Sequence, residues 1–152
     1  MRESENNAIF ELQKVKITPD GGLCVNYKLR EETNCNKFKI QSTNAPHPDM
    51  LDWFDKLQPI VAQVFETADC LPIAVCGLTI GGKDESEGAI VSAIFTTAAG
   101  QQTTIATPRL KYHTNAYGFE EELNAIVAGI EEEVYKYLFE DKTAVLDTFN
   151  AD

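Results

Sequence analysis

Few side chains in this 152-residue chain have the type and spacing for chemistry. There are two histidines, His47 and His113. A nucleophile–base pair is assembled in space, but neither histidine has a candidate partner close by in sequence. His47 lies between Pro46 and Pro48 and reads as part of a helix start. The four cysteines, Cys24, Cys35, Cys70 and Cys76, fall 11, 35 and 6 positions apart, unlike the close pairs of a zinc site. They read as free thiols. The segment Gly81–Gly88 carries Asp84, Glu85 and Glu87, oxygen donors of the kind hard cations take. It lacks the alternating acids of a calcium loop and reads as a solvated connection. Its glycines open no Gly-Lys-Ser/Thr phosphate loop. The expectation is therefore a binding protein and not an enzyme, with no catalytic residue, no cofactor and no metal.

Charge is the stronger signal. Residues 1–44 hold 7 Lys/Arg against 6 Asp/Glu, whereas residues 45–152 hold 6 against 18. Such asymmetry bears on association with partners and not on fold. Lys14, Lys16, Lys28, Arg30, Lys37 and Lys39 occupy alternate positions of three β-like runs, which predicts that all six project from one wet sheet face. That is the candidate nucleic-acid or anion-binding face. Its alternative is an ordinary solvated face, since alternation itself puts polar residues outside. The opposite sign collects at the end: residues 113–152 carry 10 acids and 2 lysines. Glu121, Glu122, Glu131, Glu132 and Glu133 are expected to form an acidic ridge on the last helix. Such a ridge serves either a protein partner or plain solubility.

The elements that must position these groups follow from periodicity. Val15 and Ile17 alternate with Lys14 and Lys16. Beyond the turn Pro19-Asp20-Gly21-Gly22, Leu23, Val25, Tyr27 and Leu29 alternate with polar residues, as do Phe38 and Ile40. This predicts a three-stranded meander with one buried face. Met50, Phe54, Leu57, Val61 and Val64 form one helical face, kinked at Pro59 and ending near Glu66. Three strands follow: 71–80, 89–97 and 101–107. The middle one is apolar on both parities and is placed at the sheet centre, and Pro108 puts the last at an edge or ends it. Phe119, Leu123, Ile126, Ile130, Val134 and Tyr137 then make a deep helical stripe, capped by Thr114 or Asn115, with Gly129 packed closely against the sheet. The predicted fold is α+β: two layers, a mostly antiparallel sheet and two helices in the order β-β-β-α-β-β-β-α. One domain over 8–140 is followed by an acidic C-terminal tail, 141–152.

Several short stretches resemble a family. Ala45-Pro46-His47-Pro48-Asp49-Met50, Val75-Cys76-Gly77-Leu78-Thr79-Ile80, Gly88-Ala89-Ile90-Val91 and Ala106-Thr107-Pro108 look like an uncharacterised group of small phage and prophage proteins. The resemblance covers residues 45–110 and, more loosely, the meander. It implies a setting of phage DNA replication or recombination genes, and brings no activity and no site. Val145-Leu146-Asp147-Thr148-Phe149 is similar to the Gln-Leu-x-Leu-Phe peptide that docks on the replication sliding clamp. Leu146 and Phe149 match its anchors, while Val145 and Thr148 depart from it.

The functional expectation is a non-enzymatic, phage-associated accessory protein acting near DNA metabolism. The alternative is an acidic inhibitor or nucleic-acid mimic that blocks a host defence or nucleic-acid-handling enzyme. A protein partner is expected, with nucleic acid through the basic face and homo-oligomers left open. With no apolar run long enough for a membrane span and no apolar leader, the expected location is the cytoplasm.

Overall fold

A computed structural model describes residues 2–3, 8–66, 72–114 and 116–144. The strands are β1 (Arg2–Glu3), β2 (Ile9–Ile17), β3 (Leu23–Arg30), β4 (Cys35–Ser42), β5 (Ile73–Gly81), β6 (Gly88–Thr96), β7 (Gln102–Ala106) and β8 (Leu110–Lys111). They form one antiparallel sheet in the order β4-β3-β2-β5-β6-β7, with β1 beside β2 and β8 beside β6. The helices α1 (Pro48–Asp55), α2 (Gln58–Val64) and α3 (Glu120–Phe139) cover one face only. The fold is thus the α+β arrangement expected, with its elements roughly in the expected order: the short strands β1 and β8 are additional, and two helices, α1 and α2, stand where one was expected.

The β2–β3 turn follows its residue types. Gly21 takes φ +88°, and the Asp20 carboxylate accepts hydrogen bonds from the Thr18 hydroxyl and the Gly22 amide. In β2, Phe10 and Leu12 point inward on even positions, yet Val15 and Ile17 do so on odd ones. A β-bulge at Gln13 absorbs the change of parity, because Leu12 faces Tyr27 while Lys14 faces Asn26. A second bulge, at Cys76, does the same in β5.

Three expectations need correction. The helix over 48–64 is not kinked but broken: α1 ends at Asp55 and α2 begins at Gln58, leaving Pro59 in the first turn, where its missing N–H costs nothing. Strand β6 is not central. It lies next to the edge strand β7, while β2 and β5 hold the middle. Its apolar residues on both parities do not mean two covered faces, since Ile90 and Ile94 are half-exposed on the side without helices. Finally, the meander's inner face is not fully buried. Phe38 and Ile40 on β4 are 39% and 37% exposed, because the helical layer stops short of this edge. Phe38 instead stacks on Tyr27 with ring centroids 5.1 Å apart.

The stripes of α1, α2 and α3 meet the sheet as their spacing predicts. Phe54, Leu57, Val61, Leu123, Ile130 and Val134 are essentially inaccessible to solvent. Each contributes about 1.5–3 kcal/mol by burial. Gly129, however, packs against α1 and not the sheet: a Cβ there would fall inside the Trp53 indole's contact distance. Gly129→Ala gains about 1 kcal/mol of helix propensity. Displacing the indole costs about 1–3 kcal/mol, so thermal denaturation should show a net loss. In a Trp53→Ala background the same substitution should stabilise.

Candidate functional site

The six sequence-predicted cations lie in the meander, and cross-strand register decides whether they share a face. Residues directly opposite each other in a sheet point to the same side. Lys37 is opposite Lys28, and Lys28 is opposite Glu11. Lys39 is opposite Asn26, which is opposite Lys14. Cys24 lies between Gln41 and Lys16, and Arg30 is opposite both Cys35 and Ile9. Lys14, Lys16, Lys28, Arg30, Lys37 and Lys39 therefore all project from the helix-free face. Strands sit about 4.8 Å apart, so Lys39 and Lys14 are about 10 Å apart with Asn26 between them.

Within the strands that face is electrostatically one-sided, although Glu87 and Glu131 line a recess together with Lys28 and Arg30. Strands β2 to β7 contain these six cations and a single acid, Glu11. The acid is committed to Arg30, with Nε 2.6 Å from Oε2, a pairing that sequence order did not suggest and register makes obvious. Among the described residues, no ion pair claims Lys14, Lys16, Lys28, Lys37 or Lys39. Lys28 directly opposite Lys37 is a like-charge pair, which costs the sheet up to about 1 kcal/mol. Lys37 and Lys39 also guard the free edge of β4 against adventitious strand pairing.

The acidic ridge is narrower than expected. Glu121, Glu122 and Glu132 are exposed, Glu131 is half-buried, and Glu133 is buried. Glu133 faces inward because Lys142 folds back over it. The Lys142 Nζ lies 2.7 Å from Glu133 Oε1 and 2.8 Å from Asp49 Oδ2. Burial disfavours the Lys142 charge, but its hydrogen bonds to Asp49 and Glu133 outweigh this and raise its pKa. The Asp49 carboxyl is held below its ordinary value, chiefly by the Lys142 hydrogen bond. Thr143 bridges Pro46, and the Ala144 amide donates to the Ala45 carbonyl 3.1 Å away. Residues 141–144, expected to begin a tail, are thus packed on the domain.

Of the two expected caps of α3, Asn115 lies outside the described residues, and Thr114 is not the cap: the position is held by Phe119, without a side-chain hydrogen bond. The Thr114 hydroxyl donates instead to Glu120, as do the Tyr117 and Gly118 amides. Burial pushes the Glu120 carboxyl up, but these hydrogen bonds outweigh it and leave the pKa lowered.

The remaining candidates do not converge on a reactive centre. His47 caps α1, its Nδ1 accepting from the Asp49 amide at 3.0 Å. His113 lines a broad open depression of about 780 Å³ with Lys111 and the loop acids Asp84, Glu85 and Glu87. Among the described residues, His47, Asp49 and Glu133 are the metal-capable groups that come together, and the Lys142 ammonium already sits against both carboxylates. Cys24 is half-exposed on the basic face, Cys35 exposed at the start of β4, and Cys76 buried in its bulge. Cys70, and the clamp-like Leu146 and Phe149, lie outside the described residues. No described helix is long and apolar enough to cross a membrane. Compared with known proteins, the chain matches no family model, no curated protein and no solved structure.

Proposed function

We propose that this chain is a non-enzymatic binding protein that lays its helix-free sheet face along the phosphate backbone of a nucleic acid. The observation that carries the reading is register: five lysines that form no ion pair among the described residues share the helix-free face, two of them directly opposed. Holding Lys28 against Lys37 costs stability in the free chain, and a bound polyanion reverses the sign of that interaction. A sheet with α1, α2 and α3 on its far side offers the access such a backbone needs. The setting implied by the phage-like stretches at residues 45–110, DNA replication or recombination in the cytoplasm, is one where such a protein would meet nucleic acid.

Salt dependence tests this. For about five phosphate contacts on a single strand, the log–log slope of affinity against salt is roughly −3.5. Affinity should therefore fall about 100-fold between roughly 50 and 200 mM salt. The triple variant Lys14→Glu, Lys16→Glu, Lys28→Glu should melt like the wild type and lose binding of a labelled oligonucleotide. A salt-independent affinity, or full binding by the triple variant, would sink the reading. The rival, an acidic inhibitor, predicts that DNA is ignored and that a protein partner is lost when Glu121, Glu122 and Glu132 become lysine.

A further inference from the structure

The basic face is not uniformly flat. Next to Lys16 it dips into a recess of about 470 Å³ lined by Ala74, Cys76, Ile94, Gln102 and Thr104. Its origin is local. The β5 bulge at Cys76 interrupts the pleat, and the outward positions beside it carry small side chains or none: Ala74, Gly77 and Ser92. Ala74 is opposite Ile94, and Ile94 is opposite Thr104, so these three form one row on the helix-free side. Lys16, opposite Gly77, stands at the rim and belongs to the cation set. The walls are mainly apolar, with the Gln102 amide and the Thr104 hydroxyl as hydrogen-bonding groups.

We infer that this recess accepts a single unpaired nucleobase, so that the preferred ligand of the basic face is single-stranded nucleic acid and not duplex. The inference rests on the phosphate-backbone reading above and adds the class of ligand. The volume lies in the range of about 300–1,000 Å³ typical of small-ligand sites. An apolar slot with an amide and a hydroxyl matches a base, which has two apolar faces and a polar edge. The neighbouring cations supply the complementary charge for the phosphates on either side. In a duplex the bases are stacked and paired, and taking one out to fill the recess costs a few kcal/mol of unstacking and unpairing. Only a strand whose bases can splay out fills the recess while its backbone passes Lys14 and Lys16.

The test compares three labelled probes by fluorescence anisotropy: an oligo-dT strand, the same strand with abasic sites, and a duplex of equal length. Each is titrated with the wild type, Ala74→Leu, Thr104→Leu and the triple lysine variant. Both leucines enter exposed positions and fill the slot without offering a ring for a base to stack on, and circular dichroism melting checks that the variants fold. The expected result is that the base-bearing strand binds the wild type about tenfold more tightly than the abasic strand, through burial of the base against the apolar wall. Either leucine should reduce that advantage while leaving the abasic affinity unchanged. Equal binding of the base-bearing and abasic strands, or an unchanged advantage in both leucine variants, overturns the recess and leaves the phosphate face standing. No binding of any probe by the wild type overturns both.

Discussion

Replacing Phe10 with alanine should lower the stability of the domain by about 3–5 kcal/mol. Phe10 is completely buried on β2, and its ring touches side chains from two other elements. Tyr27 of β3 is 5.3 Å away between centroids, and Tyr135 and Phe139 of α3 meet it edge-on at 5.5 and 6.0 Å. A cavity there is bounded by a strand ladder and a 20-residue helix, neither of which can collapse into it without disturbing its own hydrogen bonds. Urea denaturation followed by circular dichroism gives the loss directly. Phe38→Ala is the control, because that ring stacks on Tyr27 but remains 39% exposed, and it should cost no more than about 1.5 kcal/mol. If the two substitutions cost the same, the inward parity of Phe10 is wrong, and the Gln13 bulge with it.

Glu133→Ala should cost about 3 kcal/mol, a large effect for a residue that sequence alone puts on a solvent ridge. Removing one partner of a buried ion pair costs about 3–5 kcal/mol, since the charge left behind is desolvated. The Glu133 side chain is only 6% exposed, but Lys142 is 22% exposed and keeps exposed Asp49 as a partner, so the lower end applies. The double variant Glu133→Met, Lys142→Met should recover most of the loss, because neither charge is then stranded. A cost below about 0.5 kcal/mol for Glu133→Ala would return it to the surface class. The pH dependence has a definite sign. Lys142 holds the Asp49 pKa down, so Asp49 contributes stability that is complete above the ordinary aspartate value and is lost as pH falls through the lowered native one. For Lys142, raised by its carboxylate partners, the contribution is complete below the ordinary lysine value and is lost as pH climbs through the raised one. Lys142→Met should therefore flatten the acid limb of the stability curve below about pH 4.

Much of this molecule was legible in the order of its residues. Local rules are strong where one element has one face to bury. The meander's alternation, the turn at Gly21 and the six-residue stripe of α3 each follow from a period of 2 or 3.6 meeting a single hydrophobic layer. The antiparallel α+β plan follows from those pieces and their short connections. The six cations were legible for the same reason, because alternation puts them opposite the core.

What the sequence could not decide was anything that depends on where a second element stops. The bulges at Gln13 and Cys76 are single extra residues, invisible until a partner strand sets the register. Whether Ile90 and Ile94 are covered depends on a layer that exists on one side only. Phe38 and Ile40 have core periodicity but lie beyond the reach of the helices. Glu133 shares its helical spacing with solvent-exposed acids, and it is buried because a lysine nine residues later folds back over it. Periodicity reports which way a side chain points along its own element. The neighbours it meets there are fixed by long-range packing, which here sets the limits of the core, the recess beside Lys16 and the pairing of Lys142.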